Sequence, residues 1–246
     1  MAHERPFDAV TFDFWETLVR TSGGDTRTAR AASVTAALGR YAHQVDPPAL
    51  ELAFEHAFVL FNDGWHENRQ VTAVDAAHLV IDHLGFDLAP EARVAVVESF
   101  VHGAAGLDMQ LADHLEETLV GLKEREVRLA IICDVGLTPS TALRGYLDAH
   151  GVLDLFDHWS FSDEVGCYKP ARQIFEHALT GLGGVTPARA AHVGDLRRTD
   201  IAGAQAMGMT AVRYCGINDD PVGPDLPEGD HVIGDHIELF AALGLD

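Results

Sequence analysis

The chain has 246 residues, 47% of them hydrophobic, and a formal net charge of −21 at pH 7. This length allows a real core in one large domain or two modest ones, and the negative charge disfavours a nucleic acid or an acidic membrane surface as a partner. Because the sequence has no apolar run long enough to span a bilayer, no signal-peptide pattern and no C-x-x-C pair among its three cysteines, we expect a reduced, cytoplasmic protein without a disulfide framework.

The first predicted element is a β-strand over the apolar run from Ala9 to Phe14, which carries a single carboxylate, Asp13. Burying a lone carboxylate at a strand end is costly unless a metal, a cation or backbone N–H groups hold it. The simpler alternative is an Asp that caps a turn. A buried Asp13 therefore predicts partners elsewhere in the chain.

Between about residues 25 and 106 the pattern is helical, without convincing β alternation. Proline in the first turn, the capping pair Thr72 and Asp75, and the stop at Gly85 mark helix ends. Aromatic residues at helical spacing in the second helix are typical of a bundle core rather than of a ligand site. The predicted helices begin near residues 26, 46, 72 and 90.

From residue 108 onward, helices alternate with short strands. The run VRLAIIC at residues 127–133 is apolar apart from Arg128, which is typical of a parallel strand buried on both faces. The alternation predicts an α/β fold with a doubly wound, Rossmann-like parallel sheet. The stretch from Gly216 to Pro227 reads as a linker, and the acidic residues after Arg213 read as a solvated face. Further strands are predicted at 158–161, 190–193, 210–214 and 230–233, and helices at 110–125, 138–150, 171–182, 200–207 and 237–243.

Four of the predicted strand ends carry polar side chains, and in an open parallel sheet such strand ends can face one crevice. Two or three carboxylates with one ammonium suit Mg²⁺ and a phosphate, because Mg²⁺ binds few carboxylates and leaves positions for phosphate and water. The simpler alternatives are a surface cation for Lys169 and a helix N-cap for Asp200. The polar residues at the strand ends are Asp13, Cys133 with Asp134, Lys169, and Asp195 with Asp200.

The order and spacing of these residues resemble the four motifs of the haloacid dehalogenase-like hydrolase superfamily. Asp13 in FDFWETL resembles the first motif, and Cys133 stands where the second motif has Ser or Thr. Lys169 in DEVGCYKPARQIF resembles the third motif, and Asp195 and Asp200 in HVGDLRRTDIAGAQAMGM resemble the fourth. The joint match is specific, although each motif alone would be weak.

The resemblance implies a Rossmann-like core domain, residues 1–22 and 107–246, and an inserted all-helical cap domain of the C1 type, residues 23–106. It implies a Mg²⁺-dependent phosphatase that acts on a small phosphorylated metabolite. Asp13 would be the nucleophile that forms an aspartyl-phosphate, and the carboxylates of Asp13 and Asp195 with the Trp15 backbone carbonyl would hold the metal.

The resemblance also implies how the phosphate is held. Lys169 would keep the phosphate and Asp13 in register, and Asp200 would support Lys169 or a water on the metal. Cys133 and the backbone N–H groups near it, including that of Asp134, would bind phosphate, although a thiol donates more weakly than a hydroxyl. A nucleophilic Cys133 is a further but less favoured interpretation, because this residue ends an apolar strand.

Trp15 departs from the pattern, because the phosphatases of the family have at this position an Asp that protonates the leaving group. General acid–base catalysis is typically worth a factor of about 10² to 10⁴. Glu16 on a continuing strand would point to the other face, and His66 or Glu67 from the helical segment are alternative acids. Two alternatives therefore stay open: a metal-independent 2-haloacid dehalogenase, which likewise has an aromatic residue two positions after the nucleophile, and a catalytically weak relative that binds a phosphorylated ligand.

Overall fold

The computed structural model describes residues 6–21, 26–103, 109–223 and 225–245, and the chain divides into two compact units. The core unit comprises Met1–Thr21, Met109–Asp134 and Tyr146–Asp246, and the helical unit comprises Ser22–Asp108 and Val135–Gly145. Residues 135–145 thus group with the helical unit, although the sequence-based boundaries put them in the core domain. The boundaries predicted at 22–23 and 106–107 lie outside the described residues, and a cap formed by residues 23–106 stays a prediction.

A parallel sheet of six strands, in the order β5–β4–β1–β6–β7–β8, forms the centre of the core unit. Strands β2 and β3 form a separate antiparallel pair. The strands in the described residues are β1 (Ala9–Phe12), β2 (Val19–Thr21), β3 (Met109–Leu111), β4 (Arg128–Cys133), β5 (His158–Phe161), β6 (Ala190–Gly194), β7 (Thr210–Tyr214) and β8 (His231–Ile233).

The helices follow the predicted alternation with the strands, and short 3₁₀ turns lie at Leu153–Leu155, Pro187–Arg189 and His236–Glu238. The α-helices are α1 (Thr26–Arg40), α2 (Pro47–His66), α3 (Ala73–Leu84), α4 (Pro90–His102), α5 (Leu115–Glu124), α6 (Ser140–Ala149), α7 (Ser162–Val165), α8 (Arg172–Gly181), α9 (Ala202–Met207) and α10 (Leu239–Ala242).

Three sequence-based predictions of these elements were wrong. The first strand ends at Phe12 rather than Phe14, and residues 110–111 belong to β3 rather than to a helix. The helix predicted to begin at Asp200 instead begins with a π-helical turn over Arg197–Ile201, which precedes α9. Such turns are frequent at functional sites.

Burial explains why the strands of the core unit are so apolar. Every residue of β4 from Leu129 to Cys133 is inaccessible to solvent, as expected for a parallel strand between two neighbours. Helix α8 packs on β4 and β5, and α9 packs on β7, around a cluster that includes Ile132, Phe175 and Ala204. The predicted doubly wound, Rossmann-like α/β sheet is therefore confirmed.

The helical unit has its own core, in which α1 packs on α4 and α2 packs on α3. The rings of Phe54 and Phe100 lie 5.3 Å apart between centroids, and both side chains are buried. His66 and Glu67, two of the alternative acids, are exposed at the end of α2. None of the helices in the described part of the chain combines the length and the hydropathy that a bilayer crossing needs.

Helix α3 provides a test of the predicted capping. The Asp75 N–H donates to the Thr72 hydroxyl at 3.1 Å, and the Thr72 N–H donates to the Asp75 carboxylate at 2.9 Å. We expect Thr72→Ala to lower the free energy of unfolding by about 0.5–2 kcal/mol, because a cap of this kind contributes that much. Urea unfolding of the Ala variant beside Thr72→Ser, which keeps the hydroxyl, measures the difference. Equal stabilities of the two variants would contradict the capping role.

Candidate active site

Parallel pairing brings three chain segments to one edge of the sheet. Strand β1 pairs with β4 on one side and with β6 on the other, so Phe12 lies beside Ile131 and Val193. Asp13 follows β1 directly, and its N–H donates to the Val193 carbonyl at 2.8 Å. Because Asp195 follows β6 in the same way, the two carboxylates lie at the same carboxyl edge.

Lys169 lies in the middle of this group with a relative exposure of 2%. Its Nζ donates to Asp13 Oδ1, to Asp200 Oδ1 at 2.6 Å and to the Ile132 carbonyl at 3.0 Å. Burial opposes the charge of the ammonium, but the carboxylates of Asp13 and Asp200 outweigh this effect and raise the pKa of Lys169 well above its usual value. The alternative of a surface cation is therefore wrong for Lys169.

Asp13, Asp195 and Asp200 are all buried, and each offers an oxygen within 4.8 Å of an oxygen of the others. Burial and the neighbouring carboxylates raise the pKa of Asp13 well above its usual value, and burial with the charge of Asp200 raises the pKa of Asp195 to about 7. A single ammonium balances only part of this negative charge. The cluster is thus chemically suited to a hard metal cation, which prefers carboxylate oxygens.

Asp200 does not cap a helix, as the simpler alternative predicted, but lies inside the π-helical turn. Its Oδ2 accepts from the Leu196 N–H at 3.0 Å, and its Oδ1 accepts from Lys169 and from His192 Nε2 at 3.1 Å. Burial raises the pKa of Asp200, but Lys169 and His192 outweigh this effect and hold that pKa below its usual value. Gly194 makes this approach possible, because a Cβ there would clash with the Asp200 side chain.

Two polar residues near this group were missed by the sequence analysis. His192 is fully buried on β6, where burial lowers its pKa, and its Nδ1 lies 2.8 Å from the Thr11 hydroxyl. A histidine in an otherwise apolar strand was a usable signal, because a buried imidazole needs partners. Asn218 Nδ2 donates to Asp195 Oδ2 at 2.7 Å, and no local pattern marks this residue.

The residues after Asp13 leave the strand. Glu16 has a φ of 54°, so the strand alternation that was predicted to turn its side chain away does not apply. Instead, Glu16 Oε1 accepts from the Thr21 hydroxyl at 2.5 Å. Trp15 is half-buried, and its ring packs edge-on against Phe14 at 5.1 Å between centroids.

Cys133 and Asp134 lie at the end of β4. Burial and the nearby Asp13 raise the pKa of the Cys133 thiol well above its usual value, so the thiol is neutral and unsuited to act as a nucleophile. Asp134 Oδ1 accepts from the Lys169 backbone N–H at 2.9 Å, which connects the end of β4 to the segment that carries Lys169.

Known proteins resemble this chain along most of its length. The human haloacid dehalogenase-like hydrolase domain-containing protein 3 is 27% identical over 99% of this chain and 96% of its own length. The mouse protein of the same name is 34% identical, but that alignment covers only 55% of this chain and 53% of the relative. A glyceraldehyde 3-phosphate phosphatase from Methanothermobacter thermautotrophicus is 29% identical over 83% of this chain and 84% of its own length.

A solved structure has the same fold. The 2-haloacid dehalogenase from Pseudomonas syringae pv. Tomato DC3000 superposes with a TM-score of 0.69 over 97% of this chain and 99% of its own, at 24% identity. The family model of the haloacid dehalogenase-like hydrolases matches residues 7–208, a range that contains Asp13, Lys169, Asp195 and Asp200. The chain therefore belongs to the haloacid dehalogenase-like hydrolase family.

Proposed function

We propose that the protein is a Mg²⁺-dependent phosphatase that hydrolyses a small phosphorylated metabolite through an aspartyl-phosphate on Asp13. The observation that carries the proposal is the cluster of three buried carboxylates around one ammonium. A divalent cation would balance the remaining negative charge, and a phosphate would complete its oxygen ligands. The similarity to a glyceraldehyde 3-phosphate phosphatase supports a phosphate ester as substrate.

The proposed ligands of the metal are the carboxylates of Asp13 and Asp195 and the backbone carbonyl of Trp15. Both oxygens of Asp200 already accept hydrogen bonds, from Leu196 and from Lys169 with His192, so Asp200 fits a supporting role better than a ligand role. When bound, Mg²⁺ would neutralise charge on the transferred phosphoryl group.

The proposed reaction has two displacements at phosphorus. Lys169 donates to Oδ1 of Asp13 and so orients the carboxylate, whose other oxygen attacks phosphorus while the bond to the leaving oxygen breaks. Water then attacks the aspartyl-phosphate, which releases inorganic phosphate and restores Asp13. The Cys133 thiol and the Asp134 backbone N–H would bind the phosphate oxygens during both steps.

The position of Trp15 favours particular substrates. An indole N–H is a donor only and does not supply a proton to a departing alkoxide. The proposed substrates are therefore phosphorylated compounds whose leaving group is stable as an anion. A metal-independent dehalogenase would leave the clustering of Asp195 with Asp13 unexplained, and the similarity to the solved dehalogenase concerns the fold alone.

The nucleophile is tested by Asp13→Asn. We expect phosphate release to fall by several orders of magnitude, because an amide oxygen does not form the covalent intermediate. Inorganic phosphate and halide are measured over panels of phosphate esters and 2-haloacids, with and without Mg²⁺, beside Asp148→Asn, which removes an exposed carboxylate on α6. Phosphate release that survives Asp13→Asn would overturn the assignment. Metal-independent halide release would favour the dehalogenase, and no turnover on either panel would favour the ligand-binding relative.

The metal site is tested by thermal unfolding. At a concentration about 100 times its dissociation constant, a ligand that binds only the folded state adds about 2.7 kcal/mol of stability. We expect Mg²⁺ to raise the midpoint of the wild type and of Asp148→Asn, and to raise that of Asp195→Asn much less. We also expect a chelator to stop phosphate release until Mg²⁺ is added back. An equal Mg²⁺ shift in Asp195→Asn would contradict the proposed ligand set.

The role of Trp15 is tested by installing the missing acid. We expect Trp15→Asp to raise kcat on alkyl phosphates by up to about 10²- to 10⁴-fold, because an acid assists a poor leaving group most. The gain on an aryl phosphate should be much smaller. Trp15→Asn is the matched control, since it has the same size as the Asp variant but cannot transfer a proton. A flat response to Trp15→Asp on both substrates would count against this account of position 15.

A further inference from the structure

The segment between β7 and β8, described at residues 215–223 and 225–230, is hydrogen-bonded to the rest of the core unit. Three consecutive residues in it bond to the core of the unit. Asn218 donates to Asp195, Asp219 Oδ1 accepts from Arg213 at 2.7 Å, and Asp220 Oδ2 accepts from the Arg197 backbone N–H at 2.8 Å. Asp219 still lies on a solvated face, as predicted, since 74% of its side chain is exposed, whereas Asp220 is half-buried.

Glu228, near the other end of this segment, is also bonded to the core unit. One of its carboxylate oxygens accepts from the Arg197 guanidinium, and the other accepts from Arg213 at 2.6 Å and 3.1 Å. Both arginines are buried, with relative exposures of 2% and 5%. The Glu228 side chain is itself 52% exposed, and its two charge-assisted contacts connect the segment to two points of the core unit.

Both arginines are near residues of the carboxylate cluster, one along the chain and the other across the sheet. Arg197 is two residues after Asp195 and belongs to the π-helical turn that carries Asp200. Arg213 on β7 pairs in register with Gly194, the residue before Asp195. A segment held by these two arginines is therefore held in a fixed position relative to Asp195.

The chemistry of Asn218 suits a carboxylate that must also bind a cation. Its amide donates to one carboxylate oxygen of Asp195, Oδ2, at 2.7 Å. An Arg or Lys at this position would orient the carboxylate too, but its charge would cancel the attraction for a metal ion. A neutral amide donor fixes the orientation of the carboxylate and keeps its charge.

We propose that Asn218 is a positioning residue that orients Asp195 for the metal, and that Glu228 acts through Asn218 by anchoring the segment to Arg197 and Arg213. The inference rests on the metal site of the proposed function. It extends the site beyond residues 7–208, the range that the family model matches. The residues from 215 to 230 then contribute to metal affinity rather than only joining two strands.

The test is the dissociation constant of Mg²⁺ alone, measured by titration calorimetry on the purified full chain. We expect Asn218→Ala to weaken Mg²⁺ binding by about 10- to 100-fold, as is typical when the hydrogen-bond partner of a metal ligand is removed. Asn218→Gln, which keeps the amide, should recover part of this loss. Asp225→Asn, an exposed change in the same segment, should bind Mg²⁺ as the wild type does.

A double variant tests the role of Glu228. We expect Glu228→Ala to weaken Mg²⁺ binding in the wild-type background and to add nothing in the Asn218→Ala background, because its effect passes through Asn218. If the two substitutions weaken Mg²⁺ binding additively in the double variant, the anchoring role of Glu228 is overturned. This holds even if thermal unfolding without Mg²⁺ shows that both residues stabilise the fold.

The outcomes separate the two proposals. If the wild type binds no Mg²⁺, the proposed function and this inference both fail. If the wild type binds Mg²⁺ and Asn218→Ala binds it equally tightly, the positioning role fails while the metal site stands. If Asn218→Gln binds no better than Asn218→Ala although both variants are folded by circular dichroism, the amide hydrogen bond is not the cause of the loss and the inference fails.

Discussion

Lys169 places its ammonium between the carboxylates of Asp13 and Asp200, in a space from which solvent is almost absent. A buried charge is stable only while it is paired, and removing one partner of such a pair typically costs about 3–5 kcal/mol. A shift of β1 or of the segment that carries Lys169 would therefore leave a charge uncompensated. The Ile132 carbonyl accepts from the same ammonium and ties β4 into the arrangement.

The hydrogen bonds that hold Asp200 in place reach into the sheet, so the centre of the sheet is not entirely apolar. Thr11 on β1 and His192 on β6 are partners in the strand register, and their side chains are hydrogen-bonded. The other ring nitrogen of His192 is hydrogen-bonded to Asp200. Burial keeps the imidazole neutral, so it orients Asp200 without adding a charge. Gly194 leaves the space into which Asp200 fits. Two neighbouring strands thus contribute side chains from within the sheet as well as from their ends.

Much of the core unit could be predicted from the sequence because parallel strands bring their carboxyl ends to one edge. That rule alone places Asp13 near Asp195, and the apolar run that ends at Cys133 identifies the strand between β1 and β5. The rule does not reach Asn218 or Glu228, because a loop residue has no periodic pattern and its partners are distant in the chain. Their hydrogen bonds depend on how the segment after β7 folds back, which is a tertiary property.

Local sequence patterns gave wrong secondary structure at Asp200 and at residues 110–111. Asp200 precedes an apolar helical run and so resembles an N-cap, but the pairing with Lys169 draws it into a π-helical turn. Strands β2 and β3 have only three residues each, too few for alternation to show, and residues 110–111 fitted the start of the next helix equally well. The first of these errors lies within the candidate site, and the second lies in a separate pair of short strands.

A phosphatase site has to support both the attack on phosphorus and the departure of the leaving group, and Trp15 affects only the second. On the proposed mechanism, Lys169 and the metal act on the nucleophile and the phosphoryl group, and electrostatic stabilisation of this kind is often the largest contribution to catalysis. The leaving oxygen is a different atom, and the residue at position 15 offers it no titratable proton. Attack on phosphorus is then well supported, while departure depends on the stability of the leaving anion. The geometry of the carboxylate cluster would therefore determine the reaction, and one indole would restrict the range of substrates.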